Sequence, residues 1–452
     1  MWNNGLHQTS TKRTTSDMGL EAATKALLDA GITFDQVEAA YTGYCYGDTC
    51  SGQRALYNLG LTGIPITNVN NACCTGSTAL YQANMLVKSG MAECALALGF
   101  EQMAPGSLTT PWKDREPPIS LWTDKVREFE LATGGSGMGP DAPRLFGNAA
   151  RNIVKSMVPP KEHLSKIASK NHQHGSRNPY SQFRVPWTPE QVAQSPQVTD
   201  ELTLLMCSPT SDGAACCIVA SEKFVHAHKL ENQAIEFVAQ SLATDMPSTF
   251  ESASAMELVG YSMTKRVADE AFSQAGFAPG TGRDEVGVVE LHDCFSSNEL
   301  ITYDALGLCK PGEAHKLVDA GDNTVIRGKY VINPSGGLEA KGHPLGATGL
   351  GMHFYIATQL RGWAGQMQSP NLMDHPDPRG KLGLVHNLGL GGAAVVSLMK
   401  RPEFWDGDNK REDGRNRVGY NHGQECRPIT MEDIVKVRSR QYSPTVLEQA
   451  RL

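Results

Sequence analysis

Residues 69–90 read VNNACCTGSTALYQANMLVKSG, and ECALALGF follows at 93–100. A polar turn gives way to small residues, then to apolar side chains at helical spacing, then to a short apolar run. That is the pattern of a turn, a helix and a buried strand. A second stretch repeats the plan. INPSGGLEAKGHPLGATGLGMHFYIATQL at 332–360 supplies the turn and helix, and KLGLVHNL at 381–388 supplies the strand. Strands alternating with helices indicate α/β layers.

The parallel extends outward from both stretches. MGLEAATKALLDA at 18–30 has helical periodicity with Gly31 as its C-cap, and Asp35-Gln36-Val37 leads into a strand ending near Gly43. MTKRVADEAFSQA at 263–275 ends at Ala275-Gly276, and Asp284-Glu285-Val286 opens a strand over 286–291. SDGAACCIVAS (211–221) and GGAAVVSLM (391–399) close the two halves in the same way. Two similar α/β halves are expected to pack as a pseudo-two-fold pair. Between the two parts of the first half, residues 105–204 are rich in Gly, Pro and His, and a loop of that length is functional or has a small fold of its own. Beyond residue 402 the chain turns polar and charged, as in WDGDNKREDGRNRVGYNHGQ, and reads as a tail with little core. The expected division is 1–104 for the first part of the N-terminal half, 105–204 for the loop domain, 205–245 for completion of that half, 246–402 for the C-terminal half, and 403–452 for the tail.

Bulk properties narrow the function. At 452 residues, 40% hydrophobic and 20% charged, the chain can bury a large core. A net charge of -7 with both signs well mixed argues against nucleic acid as the main partner. The 11 cysteines are scattered and no C-x-x-C pair has zinc-finger spacing, so reduced thiols are expected rather than a disulfide framework or a metal. The first residues lack the apolar core of a signal peptide, and no run is long and apolar enough to span a bilayer. The chain ends Ala450-Arg451-Leu452, a small–basic–Leu variant of the peroxisomal address, which implies an import receptor as a partner.

Four constellations carry chemistry. In Asn70-Asn71-Ala72-Cys73-Cys74-Thr75-Gly76, a thiol at a helix N-terminus faces unpaired N–H groups and the positive dipole end, and both favour thiolate. Two buried structural cysteines are the alternative. In Glu290-Leu291-His292-Asp293-Cys294-Phe295, at a strand's C-terminal end, His292 and Cys294 share a side and Asp293 does not. In Lys341-Gly342-His343-Pro344, a histidine is held in a tight turn ahead of a helix, and His386-Asn387-Leu388-Gly389 opens a Gly-rich turn. Together these offer a nucleophile, a base, an acid and backbone donors, which are the parts of thioester-forming carbon–carbon cleavage.

Those blocks resemble the thiolases, and within them the sterol carrier protein X type. GDTCSGQRALYNLGLTGIPITNVNNACCTGSTAL, KNHQHGSRNPYSQF, SPTSDGAA, ELHDCFSSNEL, NPSGGLEAKGHPLGATG and HNLGLGGA carry the resemblance, in order, from about residue 16 to about 400. It implies a five-layer αβαβα thiolase fold with an inserted loop domain. It implies Cys73 as nucleophile, His343 as the histidine that takes the thiol proton, and His292 holding a water in a first oxyanion hole. Most thiolases carry a Cys-x-Gly acid/base motif near the end; here it reads Asn387-Leu388-Gly389, and the resemblance implies that Cys294 takes that cysteine's place. Gly389 and Cys73 N–H groups, beside Asn387, would line a second oxyanion hole. The substrates implied are a 3-oxoacyl-CoA and CoA, with no metal or redox cofactor, in a homodimeric peroxisomal enzyme of β-oxidation. Family members begin with a strand placed centrally in the first sheet, and nothing in residues 1–15 resembles it; no lipid-transfer domain follows. A ketoacyl synthase, a Cys/His/Asn hydrolase of the papain type and a non-catalytic acyl-CoA-binding scaffold are the competing readings, and the GHPLGATG and HDCF blocks weigh against the first.

Overall fold

A computed structural model describes residues 13–103, 114–154, 160–325, 328–370, 372, 375–405 and 425–439. Its strands are β1 (Ala39–Gly43), β2 (Ile66–Val69), β3 (Cys94–Glu101), β4 (Gly213–Ala220), β5 (Glu236–Ala243), β6 (Val286–Glu290), β7 (Leu382–Gly389) and β8 (Ala393–Lys400). They form two four-stranded sheets, ordered β2-β1-β3-β4 and β5-β8-β7-β6. β1 is parallel to both β2 and β3, and β6 is parallel to β7, whereas β4 and β8 run antiparallel to their neighbours.

Small residues decide how the sheets stack. The helices Thr75–Lys88 and Leu345–Arg361 lie between them, with Ala79, Leu80 and Ala83 packed on Ala95, Ala97, Ala347 and Leu350. A Cβ at Gly76 would stand 2.8 Å from Gly346 O, so glycine is what allows these two helices to meet backbone to backbone. The helix Thr15–Ala30 covers the outer face of the first sheet, with Leu27 and Leu28 in one core with Leu96, Leu98 and Phe100. Thr14 and Asp17 form a reciprocal cap at its start, and Gly31 ends it at φ 64°. Tyr261–Gln274 and Ser296–Ala305 cover the second sheet, whose core includes Val267, Ala271, Val288 and Leu384. The order is helix, sheet, helix, sheet, helix, as the resemblance implies.

Three expectations need correction and one segment gains definition. First, Glu236–Ala243 pairs with β8 and belongs to the second sheet, so the N-terminal half ends before β5 and not at 245. Second, the tail is not without core: Met431–Val437 packs on the helix Thr15–Ala30, and Ile434 and Val437 are buried there. Third, no central strand is missing, because every neighbouring pair in β2-β1-β3-β4 is hydrogen-bonded. The two-fold relation puts the open position at the edge. β8 carries β5 on its outer side, while its counterpart β4 carries no strand among the described residues. A groove of about 940 Å³ follows that edge, walled by Ala26, Asp29 and Ala30 and by Asn84, Val87 and His353. The stretch 105–204 contains the helices Ser120–Thr133, Asp141–Val154, Pro160–Gly175 and Pro189–Ala193. Asp141–Val154 and Pro160–Gly175 pack against Ser296–Ala305. Residues 450–452 lie outside the described residues.

Candidate active site

The loop before the helix Thr75–Lys88 is built by its own polar side chains. Asn70 Oδ1 accepts from Ala72 N–H at 3.0 Å, and Thr75 Oγ1 accepts from Asn71 N–H at 2.8 Å while donating to Ala72 O at 2.6 Å. This holds Ala72 at φ 48°, a left-handed conformation unusual for a residue with a side chain. Cys73 follows it and is buried, 9% exposed. The backbone N–H groups of Cys73 itself and of Leu390 favour the ionised sulfur.

Opposite stands His343. Ser211 Oγ accepts its backbone N–H at 3.0 Å and donates to Gln182 Oε1 at 2.7 Å, so the blocks SPTSDGAA and KNHQHGSRNPYSQF brace the Gly-His-Pro turn. His343 Nδ1 lies 2.8 Å from Thr348 Oγ1. The His292 ring crosses that of His343 at 79°, with centroids 5.0 Å apart. Cys73 Sγ and one nitrogen of each ring all lie within 4.8 Å of one another. Three donors so close could also ligate a soft metal ion.

The expected thiolate is not what the resting site holds. Burial, with the charge of Glu101 adding to it, pushes the Cys73 thiol up to about 12 even though two backbone N–H groups oppose the shift. Burial also pushes His343 down to about 3, with Lys341 contributing, and holds His292 well below the usual imidazole range. Desolvation therefore outweighs the helix terminus, and the pair rests as neutral thiol and neutral imidazole. Cys294 is buried close enough for the charge of Cys73 to raise its thiol, though burial is the larger cause.

Asp293 turns away from these groups, as the strand alternation requires. Its carboxylate accepts from Leu338 N–H at 2.7 Å and from Asn171 Nδ2 at 3.0 Å. That ties the loop of His292 and Cys294 to the segment leading into His343. Asn171 Nδ2 also reaches Glu299 at 2.8 Å and Glu339 at 3.1 Å, and Lys170 pairs with Glu299 inside the same buried cluster. Asn387 is fully buried, and its Nδ2 lies 3.1 Å from Cys73 O and 3.1 Å from His292 Nδ1. Gly389 lets β7 pass close by: a Cβ there would lie 2.3 Å from Asn71 O. His386 lies apart, with Nε2 3.1 Å from Thr264 Oγ1.

Several residues were not singled out from sequence. Glu101, at the end of β3, accepts N–H groups from Cys45, Tyr46 and Gly346 at 2.9 to 3.0 Å, and burial raises it to about 7. Cys45 lies beneath the nucleophile loop, with Sγ 3.3 Å from Ala72 O. A lone Glu ending an apolar strand carries no spacing signal, and Thr348 sits inside GHPLGATG without a motif of its own.

The description "Thiolase, N-terminal domain" matches residues 3–223 and "Thiolase C-terminal domain-like" matches 247–399. Sterol carrier protein 2 of Gallus gallus is 52% identical over 383 residues, covering 84% of this chain and 67% of that one. Non-specific lipid-transfer protein-like 2 of Caenorhabditis elegans is 44% identical, covering 85% and 90%. Acetyl-CoA acetyltransferase of Methanothermobacter thermautotrophicus is 33% identical, covering 85% and 94%. Among solved structures, the Ltp2-ChsH2(DUF35) aldolase matches with a TM-score of 0.65 at 18% identity, over 87% of this chain and 95% of that one. Human mitochondrial 3-ketoacyl-CoA thiolase in complex with CoA matches with a TM-score of 0.61 at 16% identity, over 86% and 92%. At those identities the structures speak for the fold.

Proposed function

The chain belongs to the thiolase family and is an acyltransferase, and from that premise we propose that it cleaves 3-oxoacyl-CoA with CoA through an acyl-enzyme on Cys73. The observation that carries the reading is the buried cluster in which Cys73 Sγ and a nitrogen of each of His292 and His343 lie within 4.8 Å.

In this reading His343 takes the proton of Cys73 as the sulfur attacks the 3-oxo carbon, because a thiol at about 12 is not ionised beforehand. The alkoxide is stabilised by His292, directly or through a water, and collapses with cleavage of the C2–C3 bond. The electron pair becomes the enolate of acetyl-CoA, or of propionyl-CoA where C2 carries a methyl group, and Cys294 protonates it at C2. The Cys294 thiolate then takes the proton of incoming CoA, whose sulfur attacks the acyl group on Cys73. Backbone N–H groups around Cys73, Gly389 and Leu390 stabilise the second alkoxide. Cys73 leaves and recovers its proton from His343. Side chains and the thiol of CoA carry every step, so the reading calls for no cofactor.

The substrates in this reading are straight-chain, branched-chain or sterol side-chain intermediates of β-oxidation. The enzyme works as a homodimer in the peroxisome, delivered by an import receptor that reads Ala450-Arg451-Leu452. Support for the dimer comes from β2, an edge strand whose preceding residues expose Tyr57 and Leu61. No helix among the described residues is long and apolar enough to cross a membrane.

The test is thiolysis of straight-chain and 2-methyl-branched 3-oxoacyl-CoA, followed by loss of enolate absorbance, with Cys73→Ala in parallel. CoA-dependent turnover that the variant lacks is expected. A folded wild-type protein that binds acyl-CoA without turning it over would favour the scaffold reading instead.

A further inference from the structure

We infer that Thr348 and Asn387 are positioning residues that hold the two active-site histidines in opposite neutral tautomers, His343 protonated on Nδ1 and His292 on Nε2. The inference rests on the acyl-transfer reading for its consequence but on hydrogen-bond geometry for its content.

Thr348 Oγ1 lies 2.9 Å from Pro344 O and 2.8 Å from His343 Nδ1. A carbonyl oxygen only accepts, so the single hydroxyl proton of Thr348 goes to Pro344 O. What Thr348 can still do toward His343 is accept. His343 therefore donates from Nδ1, and a neutral ring with its proton there has a lone pair on Nε2. That Nε2 is buried and has no hydrogen-bond partner among the described residues. It is left bare for the proton of Cys73.

Asn387 works the other way. Cys73 O accepts from its Nδ2 at 3.1 Å, which fixes the amide with its nitrogen toward the nucleophile loop. The second N–H of that nitrogen points to His292 Nδ1, also at 3.1 Å. Nδ1 of His292 is thus the acceptor, and its proton sits on Nε2. The crossing rings then present unlike edges: one a base, the other a hydrogen-bond donor to an oxyanion or its water. Burial keeps both rings uncharged, so the tautomer and not the protonation state separates their roles.

This bears on a departure of the sequence from the family pattern: Asn387 stands where most thiolases have the cysteine of Cys-x-Gly. A cysteine at 387 has one weak donor and could not serve both Cys73 O and His292 Nδ1. The amide at 387 is the partner that a histidine at 292 requires.

The test uses the full chain with selectively ¹⁵N-labelled histidine and reads the ring-nitrogen shifts at neutral pH without substrate. His343 should show a protonated Nδ1 and a bare Nε2, and His292 the reverse. Thr348→Val, which loses the acceptor, should redistribute the His343 proton and lower kcat on the order of 100-fold with KM little changed. Thr348→Ser, which keeps the hydroxyl, should recover most of that loss. Asn387→Asp, which can only accept, should move the His292 proton to Nδ1. A proton on Nε2 of His343 in the wild-type chain overturns the inference whether or not any variant folds. Wild-type tautomers as assigned in a chain that performs no thiolysis would leave the inference standing and remove the acyl-transfer reading.

Discussion

At the scale of the residue, Cys73 combines a strained turn with a sulfur made hard to ionise. A nucleophile of this kind depends on its base at the moment of attack, unlike thiols that rest as thiolates beside a cation. Alkylation of the free enzyme by iodoacetamide at Cys73 should therefore climb about tenfold per pH unit through neutrality, as expected for a thiol far below its pKa. A plateau between pH 6 and 8 would mean a resting thiolate and contradict the burial argument. Gly389→Ala should cost stability by about 1–3 kcal/mol and reduce activity sharply, because the new methyl meets Asn71 O on rigid backbone; thermal denaturation and thiolysis together check it. Cys73 and His343 were legible because each sits in a block of Gly, Pro or small residues that pins a turn, and His292 and Cys294 because a His-Asp-Cys run stands at the end of a strand. Glu101 and Thr348 were not, since their significance lies in what long-range packing sets beside them.

At the scale of the element, the buried cluster behind the site holds four carboxyl groups, Glu290, Asp293, Glu299 and Glu339, against Lys170 and Lys341. Burial, with the charge of Glu299 adding to it, raises Glu339 to about 8, so it retains its proton at neutral pH. The folded state binds that proton more tightly than the unfolded chain does. The stability it contributes is intact below the ordinary glutamate range and is lost as pH rises through about 8. Glu339→Gln should flatten the fall in melting temperature between pH 5 and 8.5; an unchanged slope would remove Glu339 as its source. The helix Met431–Val437 was read from sequence as polar tail. Its apolar residues are few, and the helix Thr15–Ala30 gives them a surface to bury against. Ile434→Ala should cost about 2 kcal/mol, measured by denaturant titration, whereas a solvated tail would show no loss.

At the scale of the whole molecule, the two-fold plan was legible because each half repeats the same succession of helix, strand, helix and strand, read from apolar spacing alone. Sheet order was not, because which strand lies at an edge depends on pairing across more than 100 residues. The resemblance places the missing strand in the middle of the first sheet, whereas the pairing leaves the open position along β4 among the described residues. The two central helices, one from each half, bring Cys73 and His343 together, so the site requires both halves packed. Sedimentation at micromolar concentration should give a dimer in which charge introduced at Leu61, beside the edge strand β2, yields monomer; a wild-type monomer with full activity would refute the dimer.

The most direct measurement is the intact mass of the protein after mixing with acyl-CoA in the absence of free CoA, followed by peptide mapping. The account expects one acyl group per chain, carried on Cys73, released by added CoA and absent in Cys73→Ala. An acyl group that maps to Cys74 or Cys294, or that persists when Cys73 is replaced, would contradict it.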